Sequence, residues 1–275
     1  MTYNSIKIHF VKRFFHIYAV FVDYFAIKSL FPCKLGIVFT NCTKSAIMDA
    51  AGEGEAAMTE KYPRPPVTAV LSVADMRRSD AYTIAHFTDA RTLMARAGQG
   101  IFDACTWHGR VAVVCGSGNN AGDGYVLAAL LADAGVDTHI IILEEKFSPD
   151  GAYYFARARA CGVPVSLWQA GGDLSGYDFV VDCIFGTGFH GEVRGIAADA
   201  IRAINASGAF VVSADINSGM NGDTGEGALC VVSSLTVSIG FYQPGHFRGR
   251  APDVIGRLTN CDIGILPLGE ILEYR

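Results

Sequence analysis

With 275 residues the chain has room for one large domain or two small ones, and a hydrophobic fraction of 51% supplies ample core. A formal net charge of −5 leaves no basic footprint for nucleic acid. Eight cysteines are scattered with no Cys-x-x-Cys pair and no metal-type spacing, so the body of the chain reads as cytoplasmic, and Cys115 and Cys183 read as small buried residues near strand ends.

Residues 1–66 stand apart as a leader, and residues 67–275 form the domain. Lys7, Lys12, Arg13, Lys28, Lys34 and Lys44 make the leader basic, and Phe14 to Phe31 is aromatic-rich. His16, Asp23 and Lys28 interrupt that apolar run too often for a membrane span. Two readings stand: an organelle-targeting segment, or sequence upstream of a true start at Met58. Glu60 to Pro66 (EKYPRPP) reads as a linker.

Ser72 with Asp75 forms a capping-box pattern that opens a helix towards Ile84. Leu93, Ala97, Ile101 and Cys105 recur every four residues and predict a second amphipathic helix. Both read as structural helices packed on a sheet. Val111 to Cys115 is a β-branched apolar run, punctuated after its end by Gly116, Gly118, Gly122 and Gly124, with helical spacing from Tyr125 through Val126, Ala129 and Leu130. Strands follow at Thr138 to Leu143, Val163 to Leu167, Asp178 to Ile184, Ala209 to Ser213 and Leu235 to Ile239. Helices are predicted at Ala152 to Ala160 and around Ile196, Ala200, Ile201 and Ile204. This alternation predicts an α/β fold with a parallel, doubly wound sheet.

Three strand ends then carry polar or glycine-rich loops: Asn119 to Asp123, Asp182 to Gly188, and Asp215 to Gly219. Ligands of such sheets bind beyond the carboxyl ends of the strands, so all three are expected on one edge. Gly116, Gly118 and Ala121 fit the dinucleotide pattern G-x-G-x-x-A, with Glu144 and Glu145 near the distance of a ribose-binding acid. Asn119, Asn120 and Asp123 argue against it, because an acid in the first helical turn competes with a pyrophosphate for the helix N-terminus. Asp123 is either a helix-capping acid or part of a loop gripping polar ligand groups or a cation; Asp182 and Asp215, taken singly, are loop caps or site residues.

Four stretches resemble the YjeF N-terminal domain family, the NAD(P)HX epimerases: GSGNNAGDGY at 116–125, DCIFGTGFHGEVRG at 182–195, ADINSGMNGDTG at 214–225 and LTVSIGFYQPGH at 235–246. MRRSD at 76–80 and LMARAG at 93–98 look like the family's leading helices. The resemblance implies a Rossmann-like three-layer αβα sandwich and interconversion of the R and S epimers of hydrated NADH and NADPH. It implies substrate contacts from Asn119, Asn120, Ala121, Gly122 and Asp123, from Gly186, Thr187, Gly188, Phe189, His190, Gly191 and Glu192, and from Asp215. It also implies a potassium ion (K+) held by Asn120, Asp182 and Ser218, a donor set of oxygens suited to a large hard cation.

The substrate's C6 hydroxyl neighbours the ring nitrogen, so its loss leaves a stabilised iminium, and water returning from the other face inverts the centre. Asp215 is the expected acid/base, given burial that keeps its proton available near neutral pH. Three positions depart from the family pattern: Ala121 for a glycine, Ala95 for a common acid, and Gln243 for a lysine before Pro-Gly. His190 and His246 either compensate for that lysine or are ordinary loop histidines. A homodimer is the expected assembly, with NADHX or NADPHX as substrate. A separate ADP- or ATP-dependent dehydratase is the expected pathway partner, and neither nucleic acid nor membrane is. The competing functions are a non-catalytic metabolite-binding or scaffold module and an oxidoreductase, the second opposed by Asp123.

Overall fold

The computed structural model describes residues 69–269 and the backbone of residues 272–273; the leader and linker readings lie outside the described residues. Helix α1 (Val73–His86) starts where Ser72 Oγ accepts the Asp75 N–H at 3.1 Å and donates to the Asp75 carboxylate at 2.8 Å. Helix α2 (Ala90–Asp103) is capped by Asp89, which accepts the Thr92 N–H at 2.9 Å. Leu93, Ala97 and Ile101 form its buried stripe, and Cys105 lies beyond its end. Each large aliphatic side chain so buried contributes about 1.5–3 kcal/mol.

The central sheet comprises β2 (Arg110–Cys115), β3 (Asp137–Ile142), β4 (Val165–Leu167), β5 (Phe179–Cys183), β6 (Phe210–Ala214), β7 (Ser233–Ile239) and β8 (Ile255–Cys261). Its order is β4-β3-β2-β5-β6-β7-β8, with every pairing parallel. Side chains alternate between two cores. Val111, Val113 and Cys115 pack with α2, α3 (Asn119–Asp133) and α4 (Pro149–Ala160), whereas Ala112, Val114 and Val180 pack with α5 (Gly195–Ala206). Three layers result: helices, parallel sheet, helix. The chain runs outward from β2 to β4 and then returns to place β5 on the other side of β2, so the switch point lies between β2 and β5.

Three elements differ from the sequence reading. Helix α3 begins at Asn119, not Tyr125, so the asparagine-glycine run forms its first two turns. The glycines there serve close packing: a Cβ at Gly124 would lie 2.8 Å from Cys183 Sγ, and one at Gly122 would run into the Met94 thioether. Strand β8 extends the sheet by one parallel edge, reached through a 3₁₀ turn at Pro244–Phe247 and a short helix α6 (Ala251–Val254). A two-residue ladder joins β1 (Ala69–Val70) to β9 (Leu272–Glu273). Half-polar β8 (IGRLTNC) has no apolar alternation by which sequence alone reveals it.

Candidate functional site

A cleft of about 520 Å³ opens at the switch point. Ser117, Gly118, Asn119, Asn120 and Asp123 line one side, the loop from Ile184 to Phe189 another, and Asp215 the end of β6. The remaining wall is a finding against the sequence reading, which took α1 and α2 as purely structural. Met76, Arg77, Asp80 and Ile84 of α1, with Leu93, Met94 and Ala97 of α2, also face the cleft. A signal was present in the sequence: Met76, Asp80 and Ile84 fall at i, i+4 and i+8, which puts a carboxyl in the middle of an apolar stripe.

Beneath the cleft a polar row crosses three strands at one register, Asp182 beside Ser213 and Ser213 beside Thr236. The buried Asp182 carboxylate accepts from Ser218 Oγ (2.5 Å), Ser218 N (2.9 Å), Ser213 Oγ (3.0 Å) and Ile184 N (3.2 Å). Burial raises its pKa, against the pull of the Ser218 hydrogen bonds. Thr236 Oγ1 donates to Asn217 Oδ1 at 2.5 Å, and Asn217 Nδ2 reaches the Val231 and Val254 carbonyls, each at 2.9 Å. Ser218 Oγ accepts the Phe185 N–H at 2.8 Å, tying the second loop to the third. Sequence proximity could not reveal this stitching, because apart from Asp182 and Ile184 its partners lie 14–37 residues apart.

Asp215 is the backbone outlier. Among the described residues it alone combines a side chain with a positive φ, 66°. That left-handed conformation costs an aspartate about 1–2 kcal/mol, so neighbouring bonds must hold it. Its N–H donates to the Val237 carbonyl at 2.8 Å, its carboxylate accepts the Thr187 N–H at 2.6 Å, and its carbonyl pairs with His246 Nε2 at 2.9 Å. Gly186 makes room, since a Cβ there would lie 2.5 Å from Asp215 Oδ2. Burial pushes the Asp215 pKa up to about 6, although the Thr187 hydrogen bonds pull it down. Asp123, partly exposed to the cleft, is raised well above the carboxylate range by desolvation and then by the charges of Asp215 and Asp80. Desolvation raises Asp80 too. The cleft therefore gathers three carboxyls whose pKa values are all raised, first of all by desolvation.

Anion and cation features sit beside them. Gly118 is the N-cap of α3 and offers no side chain to its first N–H groups, leaving them to a ligand. Arg77 lines the opposite helix and donates to the Gly188 carbonyl at 3.3 Å. Asn120 is 8% exposed; its Nδ2 donates to the Ala214 carbonyl at 3.3 Å, while its buried Oδ1 has no partner among the described residues. Phe185 and Phe189 stack at 4.6 Å along the cleft wall.

Several expected contacts lie elsewhere. Ala121 is 1% exposed in the core, and Gly122 packs against Met94 and Gly151, so neither lines the cleft. His190, Gly191 and Glu192 sit exposed past its rim, where Glu192 pairs with Arg194 at 2.7 Å. Gln243 is wholly buried behind Asp215's loop, its Nε2 donating to the Phe241 carbonyl at 2.6 Å, and so does not face a ligand. His246 is 3% exposed and likewise outside the cleft lining, so it does not replace a ligand-facing lysine. Cys115 and Cys183 are buried, and burial pushes both thiols well above their ordinary range. Among the described residues no helix is long and apolar enough to cross a membrane.

Residues 90–245 match the family described as YjeF-related protein N-terminus. The NAD(P)H-hydrate epimerase of Rhodopirellula baltica is 37% identical over 191 residues, covering 66% of this chain and 78% of that protein. That of Levilactobacillus brevis is 34% identical over 206 residues, covering 71% of this chain and 94% of its relative. The bifunctional NAD(P)H-hydrate repair enzyme Nnr of Hyperthermus butylicus is 35% identical over 169 residues, 59% of this chain but 31% of that protein. The chain thus spans about a third of the length of such bifunctional relatives. The crystal structure of the yeast protein YNL200c superposes with a TM-score of 0.58 at 22% identity, covering 74% of this chain and 99% of that one, and so shares its fold. The chain belongs to the YjeF-related protein N-terminus family.

Proposed function

We propose that the cleft interconverts the R and S epimers of hydrated NADH and NADPH. The observation that carries the reading is Asp215: a buried carboxyl with its pKa raised to about 6, in a strained backbone, facing a cavity beside a helix N-terminus with no side-chain cap. Epimerases of this substrate among the relatives support it. Asp215 gives its proton to the departing C6 hydroxyl, the C6–O bond breaks, and the ring nitrogen's electron pair stabilises the cation. Water then adds from the other face and gives up one proton, which restores the acid. The first N–H groups of α3 and Arg77 bind the diphosphate, and the apolar wall of Met76, Ile84 and Leu93 shields the cation from bulk water.

The donor set suits potassium as part of the proposal. Asn120 Oδ1 is a buried acceptor with no protein partner, and Asp182 and Ser218, here bonded to each other, add oxygens with no thiolate or imidazole. Bound there, the ion would supply positive charge to a cleft whose titratable lining is mostly carboxyl. A second repair activity, the nucleotide-dependent dehydratase, is proposed as pathway partner, supported by relatives named as bifunctional repair enzymes.

The test is epimer exchange on separated R- and S-NADPHX with potassium or sodium. Accelerated exchange, faster in potassium and insensitive to the cation once Asn120 is replaced by alanine, is expected. Tight binding of the ligand with no acceleration would replace this reading by that of a metabolite-binding module.

A further inference from the structure

The reactive carboxyl is held by a residue that never meets the cleft. His246 lies on the 3₁₀ turn after β7, 31 residues beyond Asp215, with its ring between Asp215's carbonyl and its own turn. Nδ1 accepts the Gln243 backbone N–H at 3.0 Å, so the neutral ring carries its proton on Nε2, and that N–H donates to the Asp215 carbonyl at 2.9 Å. The turn itself is fixed. The His246 N–H closes onto the Gln243 carbonyl at 3.0 Å, and the Gly245 N–H onto the Gly222 carbonyl at 2.7 Å. A Cβ at Gly245 would lie 2.5 Å from the Asn221 carbonyl oxygen, so the turn abuts the loop after Ser218 directly.

Resting on the reading of Asp215 as acid/base, we infer that His246 is a positioning residue for the reaction, its Nε2–H holding Asp215 in the left-handed backbone from which the carboxyl passes over Gly186 to the Thr187 N–H. A backbone in that region relaxes when one of its holding bonds is lost, and the carboxyl swings with it. Misplacing a reacting group by an ångström is enough to lower a rate about 100-fold. The clamp keeps its form across the working pH range, because burial lowers the His246 pKa to about 4. The residues against the ring are Asp215, Gln243, Tyr242 and Phe247, and the charged group coupled to the Asp215 carboxyl is Asp123.

The experiment compares the wild-type chain with His246→Leu, which keeps bulk but has no donor, and His246→Gln, whose amide N–H reaches the same carbonyl. Three quantities are read: kcat for epimer exchange, ligand Kd, and the titration midpoint of the Asp215 carboxyl by ¹³C NMR. In H246L, kcat is expected to fall about 100-fold, with Kd changing less than about threefold, and the midpoint to leave its value near 6. H246Q is expected to restore both kcat and midpoint. An unchanged kcat, or a fall in kcat with an unmoved midpoint, overturns the inference and leaves His246 a packing role alone. Should H246L not fold, His246→Asn, whose amide is too short for the carbonyl, takes its place under the same criteria. A wild-type protein with no exchange activity would sink the functional reading, and the NMR midpoint would still decide the clamp.

Discussion

Replacing Asp215 with asparagine is expected to abolish exchange and to stabilise the protein above neutral pH. The Asp215 pKa rises from 3.8 in the unfolded chain to about 6 when folded, chiefly by burial. The folded state thus binds this proton more tightly, and Asp215's contribution is most favourable below pH 4 and lost as pH rises through 6. At about 1.4 kcal/mol per pH unit, keeping the carboxylate ionised in its site costs roughly 3 kcal/mol at pH 8. Asparagine carries no charge, still accepts the Thr187 N–H, and tolerates the left-handed backbone better than other side chains. Asp123 acts in the same sense, since part of its raised pKa comes from Asp215's charge. The assay is urea or thermal unfolding of wild type and D215N at pH 4 and pH 8. D215N should match wild type at pH 4 and exceed it by up to roughly 3 kcal/mol at pH 8, or roughly 6–12 °C in Tm. An advantage of equal size at both pH values, or a D215N protein less stable at pH 8, would refute the burial argument.

Two glycines of the asparagine-glycine run should respond in opposite ways. Gly124→Ala gains helix propensity but drives a methyl to 2.8 Å from Cys183 Sγ and 3.1 Å from Val113 Cγ1; a net loss of about 1–2 kcal/mol in urea unfolding is expected. Gly118→Ser meets open space and supplies the missing N-cap of α3. It should raise stability by about 0.5–1 kcal/mol while weakening NADPHX binding, read by calorimetry, because the new hydroxyl takes an N–H proposed for the diphosphate.

The parallel sheet was legible because fully buried strands read as short β-branched runs such as VAVVC and FVVDC between helical periods. Local signals also carried the Ser72 cap, and the polar strand ends that converge on the cleft announced it. What misled was glycine. In Gly122 and Gly124 the same residue that suggests a loose ligand loop instead allows a helix to lie against Met94 and Cys183. Likewise Gln243, which stands where the resembled family often has a lysine, points into the interior to the Phe241 carbonyl.

The sequence by itself carried the order of the strands from β2 to β7 with their helices and the carboxyl-end location of the site, and it marked Asp215 as the candidate acid, since periodicity and strand-end chemistry are local properties. Only the tertiary structure decided that α1 and α2 wall the cleft, that Asn120 leaves a buried oxygen without a partner among the described residues, and that the carbonyl of left-handed Asp215 meets His246 Nε2. Those facts depend on residues 31 or more positions apart meeting at 3 Å or so, and on desolvation, which exists only once the layers have closed over the carboxyl.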